Sequence, residues 1–211
     1  MVVWVIRYSA MAPDHKWKIP VAPRRVVAYI RSMSLAGHAL RRVAAVAVAV
    51  ALVGSTPDPF KALELVRPRK ATQASAFTAE TLEGQPLRLA QYKGKVVMLN
   101  FWATWCTPCR EEMPAFQRLY DRHKAQGFVV IGLSVDAEGT SVVKPFVKEY
   151  GLTFPIGLDP KMDVAEKFSV RALPSTFLID KEGKILAMAL GPREWNSNEA
   201  HTLIRSLTAS R

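Results

Sequence analysis

From Val96 to Ala103 the chain is almost unbroken in apolar residues, Val96-Val97-Met98-Leu99-Asn100-Phe101-Trp102-Ala103, which suits a central strand covered on both faces. The period then changes. Met113, Phe116, Leu119 and Tyr120 recur at helical spacing and predict a helix to about Ala125, bent at Pro114 and ended by Gly127. The alternation continues, with a buried strand over 128–135, a helix over 140–150, a short strand over 154–158 and a helix over 162–168. Residues 175–180 and 184–190 flank the turn Lys181-Glu182-Gly183 as a hairpin, and 194–207 reads as an amphipathic closing helix. Ahead of the central strand, Phe77 and residues 81–89 predict an antiparallel ribbon around Glu83-Gly84, followed by a short helical turn over 89–94. Strands alternating with helices make this an α/β chain with parallel crossovers. With 211 residues, 49% of them apolar, it can bury one proper core and hardly two.

The only two cysteines, Cys106 and Cys109, stand three apart where the strand pattern gives way to the helix pattern. Pro108 falls in the first turn, where a missing amide proton is tolerated, so Cys106 lies at a helix amino terminus. Unpaired backbone amides and the helix dipole favour a thiolate there, enough to lower a thiol pKa from ~8.5 toward ~7. Cys106 is thus the expected nucleophile and Cys109, one turn further in, the resolving thiol. Zinc needs four ligands, and His15, His38, His123 and His201 show no paired spacing. A structural disulfide over two intervening residues constrains little chain, which favours redox cycling.

The net charge of +11 suggests nucleic acid until it is mapped. Up to Arg42 there are eight basic residues and one acid, whereas from Thr72 onward there are seventeen against fifteen. The surplus sits mostly ahead of the domain, and the domain has no basic stripe with interleaved aromatics, so nucleic-acid binding is discounted. Residues 1–32 lack periodicity and read as a disordered basic extension; translation from Met33 is an alternative start. Residues 33–57 form a basic segment, an uninterrupted Ala/Val/Leu run over 43–53 and the close Gly54-Ser55-Thr56-Pro57. That layout is a signal peptide or signal anchor, with a slight lean to an anchor because no strong Ala-x-Ala site ends it; a twin-arginine signal is a further option. Arg41-Arg42 keeps the amino side cytoplasmic and sends the rest across. Residues 58–75, with three prolines nearby and a basic knot at Arg67, Arg69 and Lys70, read as a linker, leaving 76–211 as the domain.

The block Asn100-Phe101-Trp102-Ala103-Thr104-Trp105-Cys106-Thr107-Pro108-Cys109-Arg110-Glu111-Glu112-Met113-Pro114 resembles the active-site block of the membrane-anchored TlpA/ResA thiol-disulfide oxidoreductases. Leu173-Pro174-Ser175-Thr176-Phe177-Leu178-Ile179-Asp180 is similar to the same family's cis-proline strand, and the tail Gly191-Pro192-Arg193-Glu194-Trp195 is most similar to its TlpA members. The resemblance implies a thioredoxin fold with an N-terminal β-hairpin extension and a central αβ insertion, in a domain that faces the periplasm from the bacterial inner membrane and acts as a monomer. It implies a cis bond at Pro174, beside the sulfurs. It also implies that Glu112 is the acid below the dithiol, which physics supports: a desolvated carboxyl has a raised pKa and can take the proton of Cys109. Thioredoxin's own buried acid comes from the strand position that is Asn100 here. Trp105, Thr107, Pro108, Leu173 and Pro174 complete the expected client-contact set, Trp105 packing beside Cys106 to limit solvent access.

The implied function is reduction of disulfides in a client protein, an apocytochrome c or a copper-site protein, with a membrane thiol as electron donor and no cofactor beyond the cysteines. Two other classes compete. A thiol peroxidase of related families carries threonine three residues before the attacking cysteine, where Ala103 stands here. A copper carrier would use Cys106 and Cys109, but the nearby Met98 and Met113 read as core packing.

Overall fold

The computed structural model describes residues 58–210; the expected extension over 1–32 and the signal segment over 33–57 lie outside the described residues. Fifteen short elements follow in order. Helix α1 (Pro59–Ala62) and strand β1 (Thr72–Gln73) precede the hairpin β2 (Thr78–Thr81) and β3 (Pro86–Arg88), and a 3-10 turn (Leu89–Tyr92) leads into β4 (Val96–Trp102). Helix α2 (Thr107–His123) and a 3-10 turn (Lys124–Gln126) lead to β5 (Phe128–Ser134). The rest is α3 (Thr140–Glu149), β6 (Ile156–Leu158), α4 (Asp163–Lys167), β7 (Ser175–Ile179), β8 (Lys184–Leu190) and α5 (Asn198–Ala209). They form one eight-stranded sheet in the order β1-β8-β7-β4-β5-β6-β2-β3.

The sequence pattern explains the centre of this sheet. All seven residues of β4 and all seven of β5 are buried, as continuous apolar runs require, and the two strands pair in parallel from Val96 opposite Phe128 to Trp102 opposite Ser134. On one face of β4, Phe101 meets Phe168 and Phe177 at ring separations of 5.5 and 5.9 Å. On the other, Asn100 points to Glu112 of α2 and Trp102 packs on Phe146 of α3. Strand β7 runs antiparallel beside β4 and hairpins into β8, the thioredoxin arrangement. The central insertion is α3 and β6. Strand β6 lies in parallel on β5 and carries the β2–β3 hairpin on its far side, where Gly157 is required because a Cβ would meet Leu87 at 2.8 Å and Leu133 at 2.7 Å.

Three boundaries differ from the sequence reading. Helix α2 ends at His123, and Gly127 closes the following 3-10 turn in the left-handed region at φ 83°. Helix α5 starts at Asn198, not Glu194, because the Ser197 hydroxyl accepts the Ala200 N–H at 3.2 Å and caps it there. The largest difference is the segment read as a linker. Leu63 is buried, Val66 forms a backbone bridge with Met188, and Thr72–Gln73 pairs antiparallel with β8, so residues 58–73 strap the sheet's edge. This edge is held by a two-residue backbone ladder and by Gln73 Nε2, which donates to the Glu182 and Gly183 carbonyls at 3.2 and 2.9 Å, contacts that hydropathy alternation does not register. Among the described residues no helix is long and apolar enough to cross a membrane.

Candidate active site

Strand β4 ends at Trp102, and the loop Ala103-Thr104-Trp105 turns the chain into α2 at the sheet's carboxyl edge. Cys106 is the cap of α2: its Sγ accepts the backbone N–H of Cys109 at 3.3 Å. Thr107 and Pro108 are the first two helical residues, and Cys109 follows. The two sulfurs are joined as a disulfide with Cα atoms 5.3 Å apart. Cys109 is wholly buried and Cys106 is 6% exposed, so a partner sulfur reaches Cys106 first. Reduction would leave a Cys106 thiolate against the amino end of a 17-residue helix, where backbone N–H groups stabilise it.

The turn that builds this loop rests on a residue the sequence reading did not single out. Asp136, at the end of β5, is 1% exposed and accepts the Thr104 N–H at 3.0 and 3.1 Å, the Thr104 hydroxyl at 2.6 Å and the Ser134 hydroxyl at 2.6 Å. Its position two residues beyond a buried strand, opposite the end of β4, was the available signal.

Glu112 lies below the disulfide and is 4% exposed. Asn100 Nδ2 donates to its Oε1 at 3.3 Å and the backbone N–H of Arg193 donates to its Oε2 at 3.2 Å. Burial pushes its pKa from 4.5 up to about 8, against the opposing pull of these hydrogen bonds, the Trp195 indole and the Arg193 charge. Asn100 Nδ2 also donates to Thr176 Oγ1 at 3.0 Å, so this strand position orients the acid rather than supplying it. Trp195 is buried and stacked on Phe116, which folds the tail after β8 beneath α2 and delivers the Arg193 N–H.

The Leu173–Pro174 peptide bond is cis. Leu173 lines a groove of ≈ 460 Å³ together with Trp105, Cys106, Pro108, Met162 and Val170. Pro174 itself is buried and its carbonyl already accepts the Gly191 N–H at 2.9 Å, whereas the N–H and C=O of Leu173 meet no hydrogen-bond partner among the described residues. Of the two residues, Leu173 is therefore the one whose backbone groups are available for pairing with an extended chain. Trp105 departs from expectation: it is 67% exposed, so it rims the groove rather than sealing Cys106 from water. Thr107 is exposed beside it. Met98 and Met113 sit in the core, and Ala103, where a peroxidase threonine would stand, is buried and carries no hydroxyl. Among the described residues no three His, Cys, Asp or Glu side chains gather as metal ligands. Two histidines do meet: His123 Nε2 lies 2.9 Å from His201 Nδ1, a contact that spacing of 78 residues hid.

Residues 71–188 match the AhpC/TSA family, whose stretch includes β1 and so begins ahead of the expected domain boundary. Among curated proteins, the thiol-disulfide oxidoreductase ResA of Geobacillus kaustophilus is 38% identical over 160 residues, which span 76% of this chain and 91% of that one. ResA of Bacillus anthracis is 43% identical over 119 residues, 56% of this chain and 68% of that one. Among solved structures, a putative thiol:disulfide interchange protein DsbE from Chlorobium tepidum superposes with a TM-score of 0.62 at 31% identity, covering 66% of this chain and 98% of that one. A secreted thiol-disulfide isomerase from Corynebacterium glutamicum gives 0.62 at 26% identity over 74% of this chain and 97% of its own.

Proposed function

This chain belongs to the AhpC/TSA family and is a thiol-disulfide oxidoreductase whose redox centre is its own cysteine pair, and from that premise we propose that it is an exported reductant of client proteins, held at the bacterial inner membrane by residues 33–57 with its domain in the periplasm. The clients are apocytochromes c or the copper-site proteins of cytochrome oxidase assembly, and a membrane thiol protein recharges the dithiol. The ResA likeness and the charged, apolar layout of the leader support this reading.

The reaction follows from the geometry. The Cys106 thiolate attacks one sulfur of the client disulfide, whose extended chain lies in the Trp105–Leu173 groove and pairs with the Leu173 backbone. The client's other sulfur leaves as a thiolate and takes a proton from water. Cys109 must then lose its proton in a site that water does not reach directly. Glu112 accepts it: with a pKa of about 8 close to that of a thiol, the transfer is nearly balanced in free energy, although only roughly one carboxyl in ten is ionised at pH 7. The Cys109 thiolate attacks Cys106 Sγ, the second client sulfur leaves, and the pair ends as the disulfide of the structure. Two electrons pass to the client, and its two sulfurs end as thiols.

The single observation that carries this reading is the Cys106–Cys109 disulfide at the amino end of α2 with the buried Glu112 carboxyl on the same helix. A Cys109→Ala variant expressed in a periplasm should accumulate mixed disulfides through Cys106, and their protein partners should be cytochrome or copper-site proteins. Trapping none of these, or a purified reduction potential near the ~−120 mV of a strong periplasmic oxidant, would refute it.

A further inference from the structure

Glu112 meets solvent through a second cavity, of ≈ 630 Å³, on the opposite side of Pro108 from the client groove. One wall is α2, with Glu111 and Arg118; another is the loop after β8, with Arg193 and Glu194; the third is Ala62, Leu63 and Glu64 of the edge strap. Arg193 joins all three. Its backbone N–H holds Glu112 Oε2 at 3.2 Å. Its guanidinium donates from Nε to the Leu63 carbonyl at 2.9 Å, from Nη2 to the Glu64 carbonyl at 3.3 Å, and from Nη1 to the carbonyls of Leu190 and Pro192 at 3.2 and 2.8 Å. Glu64 adopts the left-handed conformation at φ 50°, uncommon for a residue other than glycine, and the Arg193 contact to its carbonyl helps hold it there.

Four carbonyls gathered on one guanidinium are more than surface packing needs. A lysine ammonium has neither the reach nor the planar fork to satisfy them together. The side chain of Arg193 is only 19% exposed, so these bonds are sheltered, while the carboxylate of Glu64, 3.9 Å away and largely in water, adds little.

We propose that Arg193 is a positioning residue that fixes the active-site carboxylate with one hand and the edge strap, residues 58–66, with the other. The strap is the part of the domain nearest the leader in sequence, and Arg193 makes its seating and the proton exchange of the buried dithiol parts of one arrangement. The other charges around that cavity, Glu111, Arg118, Glu194, Glu199 and Glu64, lie on its exposed walls and are screened by solvent. The proposal rests on Glu112 serving Cys109, which Glu112→Gln turnover tests separately.

The test uses the oxidised full chain, with Glu112 followed by carboxyl-carbon NMR and the strap by amide exchange at Val66, whose N–H donates to the Met188 carbonyl at 2.8 Å. Arg193→Met should raise the Glu112 midpoint, because the nearby positive charge goes while the backbone N–H stays, and should speed Val66 exchange about tenfold or more. Arg193→Lys should bring the midpoint at least halfway back, because the charge is kept, yet leave Val66 fast. An unmoved midpoint in Arg193→Met, or wild-type protection of Val66 in Arg193→Lys, overturns the proposal. Should Arg193→Met fail to fold, Val66 exchange in Arg193→Lys decides alone, a tenfold loss of protection supporting it and an unchanged rate refuting it.

Discussion

Helix α2 carries a buried titratable array at each end, and the two are solved in opposite ways. At the amino end the Glu112 carboxyl is out of water with two hydrogen bonds, from Asn100 and Arg193, and burial raises its pKa to about 8. Three turns on, about 16 Å away at the carboxyl end, His123 and His201 are also buried, but each ring nitrogen has a partner: Gln126 Oε1 at 2.9 Å, the other histidine at 2.9 Å and Asn196 Oδ1 at 3.2 Å. Burial, with the charges of Arg122, His123 and Arg205, lowers the pKa of His201. Desolvation therefore stores a proton at one end and expels one at the other. Only the first lies under the dithiol, and in the proposed mechanism its carboxyl is the reagent, whereas the satisfied imidazole pair is packing.

Removing the reagent should have the largest effect. In Glu112→Gln the attack of Cys109 on a preformed mixed disulfide should slow about 10–100-fold at pH 7, and its rate should lose the rise that the wild type shows up to about pH 8. Stopped-flow resolution of a glutathione adduct measures both. Stability should move the other way. The folded protein keeps its Glu112 proton up to about pH 8 while the unfolded chain loses it near 4.5, so the wild type loses stability as pH rises through that window. The gap sets an upper bound on the order of 5 kcal/mol. Urea unfolding should find Glu112→Gln increasingly more stable than the wild type between pH 5 and 9. A parallel pair of pH–stability curves would remove the contrast between the two ends.

A second carboxylate near the sulfurs sharpens the comparison. Asp136 is as buried as Glu112 but accepts from the Thr104 amide and hydroxyl and from the Ser134 hydroxyl. In the proposed mechanism it is scaffold where Glu112 is reagent. Asp136→Ala leaves those donors unpartnered inside the protein and should cost about 2–3 kcal/mol in urea unfolding. The resolution step, measured where the variant is folded, should keep the wild-type pH profile. A shifted profile would place Asp136 in the proton route instead.

What the sequence disclosed follows the same division. The strands β4 and β5 were legible because burial on both faces leaves an unbroken apolar run, and the cysteine pair because strand and helix periods meet at it. Glu112 was legible by resemblance more than by composition, since Glu111 beside it is chemically identical and lies exposed. Three features had no local signature. The strap is held by a two-residue ladder to β8 and by Gln73 bonds to residues 109 and 110 positions away, the Arg193 clamp joins residues up to 130 apart, and the histidine contact spans 78. Trp105 was placed beside Cys106 by the resemblance, but its 67% exposure on the rim of the groove has no signature in the residue type.

The smallest expected effect lies at the far end of α2. The folded state binds a proton at His201 less readily than the unfolded chain, whose imidazole has the ordinary value of 6.5. Between that value and the lower folded one the unfolded state holds more protons, so this residue's share of stability is lost as pH falls below about 6.5. The His201 slope is thus opposite in sign to that of Glu112 and falls in the acid half of the Glu112 window. His201→Gln removes the titration but keeps a side chain able to meet His123 Nε2, and it should flatten the curve below pH 6.5. Resolution of a mixed disulfide should be unchanged at every pH, because no described hydrogen bond connects the histidine pair to Glu112. A changed resolution profile in His201→Gln would mean that α2 transmits protonation along its length, and the two ends would then be one site.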